Sequence, residues 1–211
     1  MKPTSFLSKV ILTGLVALTT LIAGFTDGTA WAGRFDGSTA ATVITVPLSS
    51  TEAEMLTFMR EEEKLARDVY LAMYQKWGAV TFSNIAGSEQ KHMDTLKKML
   101  DKYKLPDPVQ PALGVFTNAD LQAKYDQLLA SGSQSLVNAL YVGATIEEID
   151  MVDIQHAIDV TIHLDLDNAY LSLLEGSKNH LRAYVSALAA QGVTYAPQFL
   201  SQELYDAIIG L

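Results

Sequence analysis

The chain has 211 residues, a formal charge of −9 at pH 7 and no cysteine. An acidic balance gives no electrostatic ground for holding nucleic acid or an anionic membrane surface, both of which reward clustered Lys and Arg, whereas it favours cations. Without cysteine the fold rests on its core, and any metal is held through oxygen and nitrogen.

Lys2 and Lys9 precede the apolar run Val10–Phe25, and Ala30-Trp31-Ala32 follows. A basic start, an apolar stretch and a small-x-small site read as a signal peptide over residues 1–32, cleaved after Ala32. An uncleaved membrane anchor is the alternative for a run of that length. Removing Lys2, Lys9 and Asp27 takes the formal charge to −10. The expectation is an exported protein, periplasmic or extracellular, with no membrane association after cleavage. Residues 33–50, rich in Gly, Ser, Thr and Ala, read as a flexible leader with a short extended segment at Thr42–Val46.

Residues 51–209 read as one domain, large enough to bury a core. The first helix is expected from the cap candidates Ser50 or Thr51 to about Trp77, where Gly78 stops it. The second starts after Thr81 or Ser83 and ends before Pro106 and Pro108. A connection of about thirty residues then carries a shorter helix from about Asp120 to Leu129. The third long helix is expected over about 135–163 and the fourth over about 167–190, ended by Gln191-Gly192. A loop and a short helix close the chain at Tyr195–Ile209. Apolar spacings of three and four, with no comparable strand alternation, predict an all-α fold. Two helical hairpins joined by a long crossover are the arrangement of ferritin-like four-helix bundles.

Several polar residues fall on apolar faces. Glu89 sits in the stripe Phe82, Ile85, Ala86, Met93, Leu96 and Leu100, and His92 lies beside Ile85, Leu96, Met99 and Tyr103. A core-facing carboxylate costs several kcal/mol unless it is paired or bound to metal. On the third helix Leu136, Leu140, Gly143, Glu147, Asp150, Ile154 and Ala157 form one seam, with acid on two adjacent turns. Either a cation neutralises these two, or the face is solvated; Glu148 and Asp153 put acid on other faces of the same helix. In Glu61-Glu-Glu-Lys-Leu-Ala-Arg-Asp68 most of the acids are expected in solvent, and periodicity does not choose between Glu62 and Glu63 as the inward one. Leu173, Ser177, His180, Tyr184 and Ala187 share a face, which sends His180 inward, as a ligand or as a hydrogen-bonded core histidine. Together the four helices offer a carboxylate, a carboxylate with His, two carboxylates, and a His. That is close to the inventory of a dinuclear carboxylate site.

Glu63-Lys-Leu-Ala66-Arg-Asp-Val-Tyr70 resembles the first-helix signature of rubrerythrin-type ferritin-like proteins, and Ser88-Glu89-Gln-Lys-His92 resembles their second-helix Glu-x-x-His. Over residues 50–209, "EEEKLARDVYLAMYQKWG", "GVFTNADLQAKYD" and "GSKNHLRAYV" look like the prokaryotic ferritin-like domain family of unassigned function. The resemblance implies Glu63, Glu89, His92, Glu147 and His180 as metal ligands, with Asp150 as a sixth. It also implies two iron ions, or manganese in their place, oxidoreductase or ferroxidase-type chemistry with O2 or peroxide, and Tyr70 or Tyr184 as a redox-active or hydrogen-bonding neighbour. One position departs: the familiar fourth-helix Glu-x-x-His has Ser177 here, and Glu175 cannot replace it, since five residues turn about 140° round a helix. Asp150 is the candidate substitute. The alternative is a non-catalytic binding module with a weakened site. A homodimer is left open, and no Ser or His sits in a nucleophile motif that would suggest a hydrolase.

Overall fold

The computed structural model describes residues 46–210, and among them every regular element is a helix. The segment expected as a signal peptide, most of the expected leader and the expected extended segment up to Thr45 lie outside the described residues. No described helix is long and apolar enough to cross a membrane.

Helix α1 spans Ser50–Trp77, α2 Val80–Tyr103, α3 Ala119–Gly132, α4 Leu136–Val160, α5 Leu164–Ala190 and α6 Gln202–Ile209. The N-cap of α1 is Ser49, one residue earlier than expected. Its side chain accepts from the Glu52 amide while Glu52 returns to the Ser49 N–H, a reciprocal capping box. Gly78, at φ 70°, ends α1 in the left-handed region that glycine adopts without a Cβ penalty. The turn between the third and fourth long helices keeps its expected three residues but falls three positions earlier, because α4 stops at Val160 and α5 begins at Leu164. Thr161, Ile162 and His163 make the turn, tied down by Glu52.

Short connections make α1/α2 and α4/α5 antiparallel hairpins. Contacts between helix ends fix the rest. Glu52, at the start of α1, meets His163 at the start of α5, and Trp77, at the end of α1, donates to the Gly132 carbonyl just before α4. Lys102 and Tyr103, at the end of α2, meet Asp165 at the start of α5. Thus α1 and α5 run one way, α2 and α4 the other, and the 104–135 crossover must return the chain along the length of the bundle.

That crossover lies along α1 and corrects one expectation from sequence. Glu61, Glu62, Glu63 and Asp68 are all buried rather than solvated. The connection takes up Glu61, Glu62 and Asp68, while Glu63 turns to His92 of α2. Glu61 accepts the backbone N–H groups of Thr117 and Asn118, Asp68 accepts from Gly114 and Lys64, and Arg60 forks onto Asp107. A long loop without its own ladder must find partners for its buried backbone groups, and these charged side chains supply them. The core between the long helices is filled by Leu56, Met59, Val69, Phe82, Leu96, Ile154, Leu173 and Leu181.

Candidate metal centre

Midway along the bundle, the four long helices bring carboxylates and imidazoles together inside the apolar wall. Glu63 from α1 and Glu89 and His92 from α2 have ligand atoms within 4.8 Å of one another, and so have Glu89, Glu147 from α4 and His180 from α5. Glu89 belongs to both groups. Its Oε2 lies 2.7 Å from His92 Nδ1 and its Oε1 2.8 Å from His180 Nδ1. Glu63 Oε2 stands 3.2 Å from His92 Nδ1, and Glu147 Oε2 3.3 Å from His180 Nδ1. The layout is two half-sites joined by one carboxylate, and it selects Glu63 over Glu62 as the residue facing this centre.

Every member is at least nine-tenths buried, so the solvated-face alternative for Glu147 and Asp150 does not hold. Asp150 belongs to neither group. It sits beside them, accepting the Ser177 hydroxyl, with its own ionisation opposed by burial and by Glu63, Glu147 and Glu89. His180, the residue also readable as an ordinary core histidine, faces only carboxylates at Nδ1. Glu148, expected on an outer acidic face, is fully buried and binds the C-terminal tail through the N–H groups of Gln198, Phe199 and Leu200 and the hydroxyl of Tyr195.

Two glycines allow the packing. A Cβ on Gly176 of α5 would stand 2.5 Å from His92 Nε2, so glycine lets that ring approach the neighbouring helix. A Cβ on Gly143 would stand 2.4 Å from the Tyr184 ring. Tyr184 in turn packs on Tyr70, whose hydroxyl donates to Glu147 Oε1 at 2.6 Å. Periodicity from sequence put Gly143 on the seam but gave no reason for its size. The Ser49/Glu52 cap, passed over for Ser50 or Thr51, carries the local signal Ser-x-x-Glu that could have found it, whereas the role of Glu148 had no local signal.

In the absence of a cation the buried carboxylates hold both imidazoles charged, and burial in turn opposes ionisation of Glu63 and Glu147. Burial pushes the Glu63 carboxyl up to about 8, with Glu89 adding repulsion and His92 opposing. Burial disfavours charged imidazoles, yet Glu63 and Glu89 hold His92 up at about 11, and Glu147 and Glu89 hold His180 up at about 10. Glu89 is buried too, but its contacts with both rings hold it down at about 2. Glu63 Oε1 has no hydrogen-bond partner, and Glu89 Oε1, close to His180 as it is, is not aligned for a hydrogen bond. Buried carboxylate oxygens left without donors are costly and call for a cation. The donors are oxygens and imidazole nitrogens, which suit a divalent first-row ion. These buried Glu and His groups could therefore hold metal.

Residues 52–210 match a family described as an uncharacterized protein domain, DUF2202. Uncharacterized protein MJ0754 of Methanocaldococcus jannaschii is 49% identical over 164 residues, which cover 77% of this chain and 89% of that protein. The crystal structure of hypothetical protein MJ0754 from Methanococcus jannaschii DSM 2661 superposes with a TM-score of 0.78 at 46% identity, covering 81% of this chain and 98% of that one. On the length of the match and the level of identity, this chain belongs to the DUF2202 family of uncharacterized protein domains.

Proposed function

We propose that the protein is a ferritin-like metal-binding protein whose centre takes two iron ions, or manganese in their place, and works as an oxidoreductase of the ferroxidase type on O2 or peroxide. The observation that carries this reading is the shared carboxylate: Glu89 directs one oxygen to each half-site, and each half adds one carboxylate and one imidazole. Glu63, Glu89, Glu147 and Asp150 together balance two divalent ions, leaving the imidazoles neutral as ligands. An iron pair would supply one-electron steps that reduce O2 or peroxide.

The chain's own residues do the rest. Nδ1 of His92 and of His180 must give up its proton for a cation to bind, so loading releases protons. Tyr70 fixes Glu147 by holding Oε1, which leaves Oε2 on the His180 side. The ligand side chains are buried with the apolar core that includes Phe82, Leu96 and Leu173, which keeps bulk water from competing for them.

The test is a titration of metal-free protein with Fe(II) under anaerobic conditions, followed by air. The reading expects about two equivalents bound and a near-ultraviolet charge-transfer band after oxidation. Binding that survives the combined change Glu89→Ala and His92→Ala would overturn it. Ser177 favours a second reading, a bundle that keeps the fold and has lost the chemistry, in which case Fe(II), Mn(II) and Zn(II) leave the melting temperature unchanged. We further propose export, for which N-terminal sequencing of the secreted protein should begin at Gly33.

A further inference from the structure

Each imidazole of the centre uses only one of its two nitrogens. His92 and His180 meet Glu63, Glu89 and Glu147 through Nδ1, and neither Nε2 has a hydrogen-bond partner among the described residues. His163 gives the contrast, since its Nδ1 faces Glu52 and its Nε2 faces the Val46 carbonyl. A histidine that ligates metal ordinarily donates its second ring N–H to a carboxylate, a backbone carbonyl or water, which fixes the ring and makes it a stronger ligand. For His92 and His180 the chain supplies neither a carboxylate nor a carbonyl at that nitrogen.

The outer edges of the two rings come to the surface together. His92 is 8% exposed and His180 7%, against 1–2% for Glu63, Glu89 and Glu147, so what these groups show to solvent is their imidazoles. Gly176 lies between the rings: a Cβ there would stand 2.5 Å from His92 Nε2, 2.6 Å from its Cε1 and 3.9 Å from His180 Cε1. The ring centroids are 5.5 Å apart. Helix α3 packs on α1 and α4, and α6 sits over α4 and α5, which leaves the α2/α5 seam at Gly176 to solvent.

Both outer nitrogens are donors. Two carboxylates at each Nδ1 favour an imidazolium, which carries a proton on both nitrogens. A metal held at Nδ1 would leave the ring's remaining proton on Nε2. In either state two N–H groups, on side chains more than nine-tenths buried, lack an acceptor in the protein, and groups so placed call for one from outside.

We infer that the α2/α5 seam at Gly176 is a seat for a small hydrogen-bond acceptor, an inorganic anion or a molecule the size of peroxide, held by the Nε2–H groups of His92 and His180. Such a ligand supplies from outside the support that both rings lack. Its use for peroxide as a substrate rests on the reading above, whereas the seat itself does not.

The experiment adds azide to metal-free protein kept in chelator and follows the imidazole nitrogens of the four histidines by nitrogen NMR. Nε2 of His92 and of His180 should shift saturably. His163, with both nitrogens engaged, and His156, exposed on α4, should move only with ionic strength. Gly176→Ala pushes the His92 ring off the seam and should remove the saturable shift. Gly87→Ala, at an exposed position of α2 where a Cβ meets nothing within 4 Å, should leave it in place. No saturable shift in wild type, or one that Gly176→Ala leaves intact, would overturn the seat, and the wild-type titration decides alone if Gly176→Ala does not fold. A saturable shift in a protein that binds no Fe(II) would keep the seat and overturn the dinuclear reading.

Discussion

Ser177 on α5 donates its hydroxyl to Asp150 on α4, across the interface that closes the candidate centre. On the proposed reading, this serine stands where a ligand carboxylate is expected, and it holds the Asp150 carboxylate of α4. Asp150 is buried among Glu63, Glu147 and Glu89, all of its own sign. Asp150→Asn should therefore raise the melting temperature of metal-free protein by a few degrees, since about 1 kcal/mol shifts a domain of this size by 2–4 °C. The same change should weaken Mn(II) or Fe(II) binding by about tenfold or more, the usual scale for losing a ligand or its supporting partner. Calorimetry on the two forms checks both directions, and a stable but equally tight-binding variant would place Asp150 outside the metal's reach.

Glu52 and His163 make a pH-sensitive clasp at the far end of the bundle. The ring's two nitrogens face the Glu52 carboxylate at 2.7 Å and the Val46 carbonyl at 3.0 Å. Both partners only accept, so both nitrogens must donate and the ring is an imidazolium. The Glu52 hydrogen bond accordingly raises His163 above its ordinary 6.5, against burial. Burial works against the charge on Glu52 as well, but Ser49, His163 and Ile162 hold it well below its ordinary 4.5. The stability from His163 is present below 6.5 and lost as pH rises through its elevated value. That from Glu52 is present above 4.5 and lost as pH falls through its depressed value. Melting temperatures of wild type and His163→Gln should thus differ most between about pH 5 and 6.5 and converge toward pH 9.

How much of this was legible in sequence depended on which partner each residue answered to. Glu89, His92, Glu147 and His180 were readable because their own helices are amphipathic, so a polar residue on the apolar stripe announces itself one helix at a time. Glu62 and Glu63 were not separable that way. Both are buried, one toward α2 and the centre, the other toward α3 and α4, and only the crossover's path along α1 makes two inward faces out of one helix. The same path buries Glu61 and Asp68, which any single-helix argument sends to solvent. Ends of helices erred for a related reason: His163 looked like a residue of the third helix, yet it is the hinge that Glu52 grips from more than a hundred positions away.

Glu148 gathers three consecutive backbone N–H groups, from Gln198 to Leu200, and the Tyr195 hydroxyl. These groups lie in the tail between α5 and α6, which has no ladder of its own there. Glu148→Gln keeps the volume but loses the charge that makes those contacts strong, and it sets an amide donor against N–H donors. The expected cost is about 2–4 kcal/mol, on the scale of charged hydrogen bonds lost together with a buried group left unpaired. Limited proteolysis should then cut within 191–201 before any site in the bundle. A variant that melts lower but resists cleavage there would argue that Glu148 acts through α4 instead.

Tyr70 touches the centre only through Glu147, so its contribution can be separated from that of a ligand. Tyr70→Phe keeps the ring against Tyr184 and Phe82 and removes only the hydroxyl that holds Glu147 Oε1. Freed of that bond, Glu147 can turn away from His180, and the half-site they share should lose about tenfold in affinity, the lower end for a supporting hydrogen bond. The half-site of Glu63 and His92 is reached from the other oxygen of Glu89 and should change little. Gly143→Ala presses on the same pair from outside, because its Cβ would meet the Tyr184 ring at 2.4 Å. Overpacking of that kind costs about 1–3 kcal/mol, so this variant should lose stability as well as affinity. A stepwise Mn(II) titration in which Tyr70→Phe weakens one equivalent and spares the other supports the division into two halves. Equal weakening of both would mean that Glu89 transmits the strain between them.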